Sequence, residues 1–197
     1  MLNVKNIVAR RTVRAAALAL AAVAALGGTA AAHASAGGGG SYAYGGYTVL
    51  LDDQAHYITA SYDGMNVAIP SASQLIGTRA IQWYVNGGAE QKWFYDQVYG
   101  SDGGFEGILL RNDNSGQCLS TDGWAGDTVF QESCDPTNSA QWFWRYGTDG
   151  ASNEFQNRYT GYYLDVSGFS YGAGANIDLW YSNGGGNQVF WSTKVGS

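Results

Sequence analysis

The sequence is poor in the residues that most metal and redox chemistry needs. Its 197 residues include two cysteines, two histidines, two prolines and two methionines, and only 13% are charged. So few histidines and cysteines leave little material for zinc, haem or iron–sulfur ligation, and no metal or cofactor is expected. Cations are scarce as well, 10 against 16 acidic residues for a net charge of −6. A protein that grips duplex nucleic acid or an anionic membrane shows a basic face, so neither is an expected partner. The low charge does not signal disorder, because 45% of the residues are hydrophobic and 14% aromatic, a composition that fills a packed core.

The longest apolar run lies at the N-terminus. Lys5, Arg10, Arg11 and Arg14 precede an Ala/Leu stretch from Ala15 to Leu26, and small residues follow up to Ala32-His33-Ala34. A basic start, a short apolar centre and an Ala-x-Ala site form a secretory signal peptide over residues 1–34, with cleavage expected after Ala34. The run breaks at Gly27-Gly28, short of the roughly 20 residues a bilayer requires, so no membrane anchor is expected in the mature chain. Cleavage removes four cations and no anion, leaving 6 basic against 16 acidic residues and a net charge of −10. It also removes His33. A serine or cysteine triad would then have to be built on His56, whose setting beside Tyr57 and Ile58 reads as a strand and a structural role.

After a Gly/Tyr-rich leader over residues 35–47, no helical period of useful length appears. Short apolar or alternating runs recur instead, at residues 47–51, 80–85, 107–111, 128–131, 141–146 and 177–181. Between them lie Gly/Asn/Asp clusters such as Asn86-Gly87-Gly88, Asp122-Gly123 and Asn183-Gly184. Many short strands with such turns and almost no proline predict an all-β sandwich or barrel.

A threefold repeat organises the domain. Gln91-Lys92-Trp93, Gln141-Trp142-Phe143 and Gln188-Val189-Phe190 place an aromatic two positions after a glutamine, and the glutamines are 50 and 47 residues apart. Independently, residues 110–120 align with residues 155–165 at an offset of 45, and a fainter copy covers Asp63 to Ala68. Three units of about 50 residues follow, near 48–100, 101–147 and 148–197, each too small to bury its apolar face alone. In this reading Trp93, Phe143 and Phe190 fill repeated core positions, while Gln91, Gln141 and Gln188 bond to backbone that would otherwise lack partners.

Three Gln-x-Trp/Phe copies, with a Cys-Leu segment closed by a second cysteine, resemble the ricin B-chain type lectin domain, also found as a carbohydrate-binding appendage of bacterial glycoside hydrolases. The resemblance covers residues 48–197 and implies a β-trefoil. Cys118 and Cys134 are the only cysteines, and oxidised pairing within the middle repeat is expected in an exported chain, as in that family.

The resemblance also implies a sugar pocket made from an Asp in a Leu-Asp-Val segment, a polar residue thirteen positions later, an aromatic two beyond it, and the Asn of an Asn-Gln pair. The third repeat carries this pattern in Asp165, Asp178, Trp180, Asn187 and Gln188. Asp165 would accept from hydroxyls, Trp180 would stack on the ring, Asn187 would bond a hydroxyl and Gln188 would orient Asp165. Asp178 departs from the usual Gln, which removes a donor and adds charge. The sister repeats lack the set: Ser120, Glu132 and Ala140 stand in the middle copy, and Ala68 and Glu90 in the first, although Trp83 keeps the aromatic. The expected function is non-catalytic carbohydrate binding, of galactose-type sugars or a polysaccharide. The alternatives are a small glycoside hydrolase using Asp165 and Asp178, or a trefoil inhibitor or interaction protein.

Overall fold

The computed structural model describes residues 39–149 and 152–196; the expected signal segment and its cleavage point lie outside them. Fourteen strands are present among the described residues. They are β1 (Ser41–Tyr44), β2 (Tyr47–Leu50), β3 (His56–Ala60), β4 (Asn66–Ala68), β5 (Ile81–Trp83), β6 (Lys92–Tyr99) and β7 (Phe105–Asn112), then β8 (Cys118–Ser120), β9 (Phe130–Glu132), β10 (Trp142–Asp149), β11 (Ser152–Asn157), β12 (Tyr163–Val166), β13 (Ile177–Trp180) and β14 (Phe190–Lys194). The strands stop early because glycine and Asx turns interrupt the apolar runs.

Six of the strands close into a barrel. Antiparallel pairing runs β3–β6–β7–β10–β11–β14 and returns from β14 to β3. Closure leaves these six no free edge. The hairpins β4–β5, β8–β9 and β12–β13 cover one end. This is the expected β-trefoil, one lobe per repeat.

The lobes are locked together by a ring of three backbone hydrogen bonds. Ala80 N–H donates to the carbonyl of Val129 at 2.9 Å, Val129 N–H to Ile177 at 3.0 Å, and Ile177 N–H back to Ala80 at 3.0 Å. Each lobe supplies one donor and one acceptor, so no lobe satisfies its own backbone without both others. Beneath the ring the core repeats in threes: Ile58, Leu110 and Phe155 from the barrel, Val67, Leu119 and Leu164 from the hairpins, and Trp93, Phe143 and Phe190 from the Gln-x-aromatic copies. All of these side chains are buried.

Two features differ from the expectations. Residues 35–47 were expected to form a leader, yet Ser41–Tyr44 forms a strand that pairs with β2. Gly45 and Gly46, with φ of 58° and 89°, make the tight turn between them, a conformation that suits the twist of a hairpin. Tyr42 and Tyr47 then pack against Val49, Val98 and Trp142, and β2 extends the sheet along the end of β6. The first lobe of the barrel consequently starts at His56, and residues 48–50 belong to the added hairpin. Two further glutamines lie outside the Gln-x-aromatic repeat. Gln82 and Gln131 are fully buried and donate to the carbonyls of Ser170 and Gly172, and of Ser73 and Leu75, respectively. Each ties its hairpin to the neighbouring lobe.

Cys118 and Cys134 are joined in a disulfide, with Cα atoms 5.0 Å apart. Outside the repeat pattern, Arg111 and Asp96 form a buried bidentate ion pair at 2.5 and 3.1 Å, and Asp96 also accepts from the Asp52 amide. His56 stacks on Tyr95 at 4.5 Å and lies 3.6 Å from Asp52; burial holds its pKa below the ordinary imidazole value.

Candidate functional site

Each hairpin faces a short 3-10 turn that carries the repeated glutamine, and the glutamine side chain staples the two together. Gln188 Nε2 donates to the Tyr181 carbonyl at 2.8 Å, and its Oε1 accepts from Asn183 N–H at 3.0 Å. Gln91 does the same with Tyr84 and Asn86, and Gln141 with Ser133 and Asp135. All three glutamines are fully buried, so these bonds satisfy polar groups that have no access to water.

In the third lobe the staple also reaches a carboxylate. The β12–β13 ladder sets Asp165 directly opposite Asp178, and Tyr163 opposite Trp180. The η turn Gly186–Gln188 brings Asn187 and Gln188 against that face. Three amides converge on one oxygen: Gln188 Nε2 and Asn187 Nδ2 each lie 2.8 Å from Asp165 Oδ2, and Asn183 Nδ2 lies 3.3 Å from it. Asp165 Oδ1 receives none of them. Asn187 fits because Gly185 has no side chain; a Cβ there would come within 2.4 Å of Asn187 Oδ1.

The site is acidic, and the side chains of Asp165, Asp178, Asn187 and Gln188 are buried, while Trp180 is 43% exposed and offers its ring to solvent. Burial pushes the Asp165 carboxyl up to about 6; the charge of Asp178 adds to the rise, and the bonds from Gln188, Asn187 and Asn183 oppose it. Burial raises Asp178 as well, against a hydrogen bond from Ser167. Trp180 lies across the glycine loop of the middle lobe, where a Cβ on Gly126 would approach its ring to 3.2 Å. The structure thus brings together all five residues read from the sequence.

The equivalent clefts of the sister lobes are open but differently furnished. The first is a cavity of about 340 Å³ lined by Ala68, Ile81, Trp83, Asn86 and Glu90 among others. Its carboxylate comes from the turn, where Glu90 accepts from Asn86 Nδ2 at 2.7 Å. The middle cleft, about 480 Å³, is lined by Ser120, Glu132, Ala140 and Tyr159 and is mainly polar. Neither holds the amide-braced aspartate.

Two residues near the third site were not singled out from the sequence. Asn183 was read only as part of a turn, yet it both caps the loop at Gly185 N–H and touches Asp165. Phe169 has φ of 53°, a left-handed conformation rare for an aromatic residue and worth about 1–3 kcal/mol of strain. Its ring packs on Tyr62 at 4.7 Å, and Tyr62 donates its hydroxyl to Ser170, which helps hold the loop. The Asn183-Gly184 turn signal hinted at the first; nothing local in the sequence marks the second.

Comparison with known proteins agrees with the β-trefoil fold. Residues 97–180 match the family described as ricin-type beta-trefoil lectin domain-like. Among solved structures, the designed threefold symmetric protein ThreeFoil has a TM-score of 0.64 and 24% identity, over 71% of this chain and 97% of its own. A Macrolepiota procera ricin B-like lectin in complex with lactose has a TM-score of 0.58 and 20% identity, over 72% and 96%. The C-half of an earthworm R-type lectin in complex with GalNAc has a TM-score of 0.55 and 19% identity, over 72% and 98%. No curated relative matches the chain. Residues 97–180 are thus similar in sequence to the ricin-type β-trefoil lectin domain-like family, and the described residues share the β-trefoil fold of these structures.

Proposed function

We propose that this is an exported, non-catalytic carbohydrate-binding protein that takes galactose-type sugars, free or within a polysaccharide, through its third lobe. The observation that carries the reading is the braced Asp165 beside an exposed Trp180. The carboxylate is fixed to accept from sugar hydroxyls, and the indole covers the apolar face of the ring. The sister lobes keep the cleft without the aspartate, so one working site is expected. A single shallow site binds weakly, and useful affinity would come from a multivalent target.

Hydrolysis is a poorer fit. A glycosidase sets its two carboxyl groups on either side of the scissile bond, about 5–9 Å apart. Asp165 and Asp178 are cross-strand neighbours on one face of a ladder, side by side rather than facing each other across a groove. The test is titration of galactose, lactose and galactose-containing polysaccharides into the mature chain and into Asp165→Ala and Trp180→Ala. Binding that both substitutions abolish is expected. Binding that survives both, or reducing ends released from polysaccharide, would overturn the reading.

A further inference from the structure

The hydrogen-bond inventory of the third-lobe site is one-sided. Its three side-chain amide donors, on Asn183, Asn187 and Gln188, are all directed at Asp165 Oδ2. Among the buried polar atoms of the site, those left without a partner are acceptors. Asp178 Oδ1 and Asn187 Oδ1 are buried without any partner, and Asp165 Oδ1 receives none of the amides. Asn187 cannot be turned to offer its amide instead, because its Nδ2 is fixed on Asp165 Oδ2 at 2.8 Å, where an oxygen would repel the carboxylate.

Buried acceptors left unpaired cost free energy, and two carboxylates held opposite each other in one ladder repel. A neutral hydroxyl brings one proton and no charge to this set. An ammonium group brings three N–H donors on one atom and a positive charge, which matches three acceptors of which two are anionic. The exposed Trp180 face provides the stacking plane for the attached ring and further favours a nearby cation.

We infer that the third-lobe site selects amino sugars with a free ammonium group over neutral or N-acetylated ones, with Asp178 as the selecting residue. The inference rests on the sugar-binding reading above and deepens it. N-acetylation would remove the charge and two of the three N–H donors. Galactosamine is accordingly expected to bind on the order of tenfold more tightly than galactose or N-acetylgalactosamine, about 1.4 kcal/mol.

The experiment is calorimetric titration of the mature chain at pH 7 and low salt with galactosamine, galactose, N-acetylgalactosamine and, as a cation without a sugar ring, ethylamine. Each is repeated with Asp178→Gln, and with the near-isosteric Asp178→Asn should the longer side chain disturb folding. Support is a galactosamine preference near tenfold that falls below twofold in the variant, with ethylamine at least tenfold weaker than galactosamine. Equal affinity for the three sugars, a preference for a neutral one, or an ethylamine affinity equal to galactosamine overturns the selectivity while leaving an Asp165-dependent sugar site in place. Absence of binding by every sugar overturns both readings together.

Discussion

Gln188 donates one N–H to the Tyr181 carbonyl and one to Asp165 Oδ2, both at 2.8 Å. A single amide therefore serves as a joint of the fold and as a brace of the candidate site. Its sisters brace no aspartate. Gln91 spends its remaining contact on the Asn66 amide and Gln141 on Glu132, and no aspartate stands at the position of Asp165 in either lobe.

That difference separates stability from binding. Gln188→Leu and Gln91→Leu should each lower unfolding stability by about 1–3 kcal/mol, because buried backbone groups lose partners. Only Gln188→Leu should weaken sugar binding by the protein that remains folded. Urea unfolding and titration of both variants would check this, and an equal loss of affinity in Gln91→Leu would contradict it.

The Asp165 carboxyl titrates near 6 in the fold, above its ordinary value of 3.8. The folded state thus holds this proton more tightly than the unfolded chain, so its contribution to stability is greatest below about pH 4 and is lost as pH rises towards 6. Asp178, opposite it in the ladder, shifts in the same direction. Asp165→Asn keeps an oxygen for the three amides and removes the charge. The variant should be more stable than the parent at pH 7, with the gap closing below about pH 4, while sugar affinity falls at least tenfold. Denaturant unfolding at pH 7 and pH 3.5 reads the sign.

The tryptophans divide in the same way. Trp93 is fully buried and donates its indole N–H to the Val67 carbonyl at 3.0 Å, so Trp93→Ala should cost about 3–5 kcal/mol. Trp180 is 43% exposed, and Trp180→Ala should cost far less stability while abolishing binding and the sugar-induced change in tryptophan fluorescence. A fluorescence change that persists in Trp180→Ala would place the ligand elsewhere.

Cys118 and Cys134 are 16 residues apart, and opening a loop of that length should lower stability by about 3 kcal/mol. The bond joins β8 to the segment after β9 in the middle lobe, and neither cysteine takes part in the hydrogen bonds at Asp165. Reduction should shift the unfolding midpoint and leave the sugar Kd of the folded protein unchanged. Parallel unfolding and titration with and without reductant would show it.

The legible part of this protein is what repeats or what is short-range. Gln91, Gln141 and Gln188 with their aromatics were readable because all three lobes must fill the same core position and satisfy the same turn. The site residues were readable as a spacing, since Asp165, Asp178 and Trp180 lie on adjacent strands of one hairpin and Asn187 and Gln188 follow in the turn that packs against it. The strand at Ser41–Tyr44 was hidden by the glycines on either side of it, which read as a leader although Gly45 and Gly46 make a hairpin turn.

By itself the sequence determined an all-β chain of three similar units and the one unit with a complete set of polar and aromatic groups, because periodicity and residue type are local properties. The tertiary structure alone decided how the lobes close, through the Ala80, Val129 and Ile177 ring, whose bonds are made by backbone atoms that carry no side-chain signature. It also decided the chemistry left open at the site. Asn183, Asn187 and Gln188 each direct an N–H at one oxygen of Asp165, so the Asn187 amide expected to meet a hydroxyl is engaged within the fold, and the buried atoms left without a partner beside it are the acceptors Asp178 Oδ1 and Asn187 Oδ1.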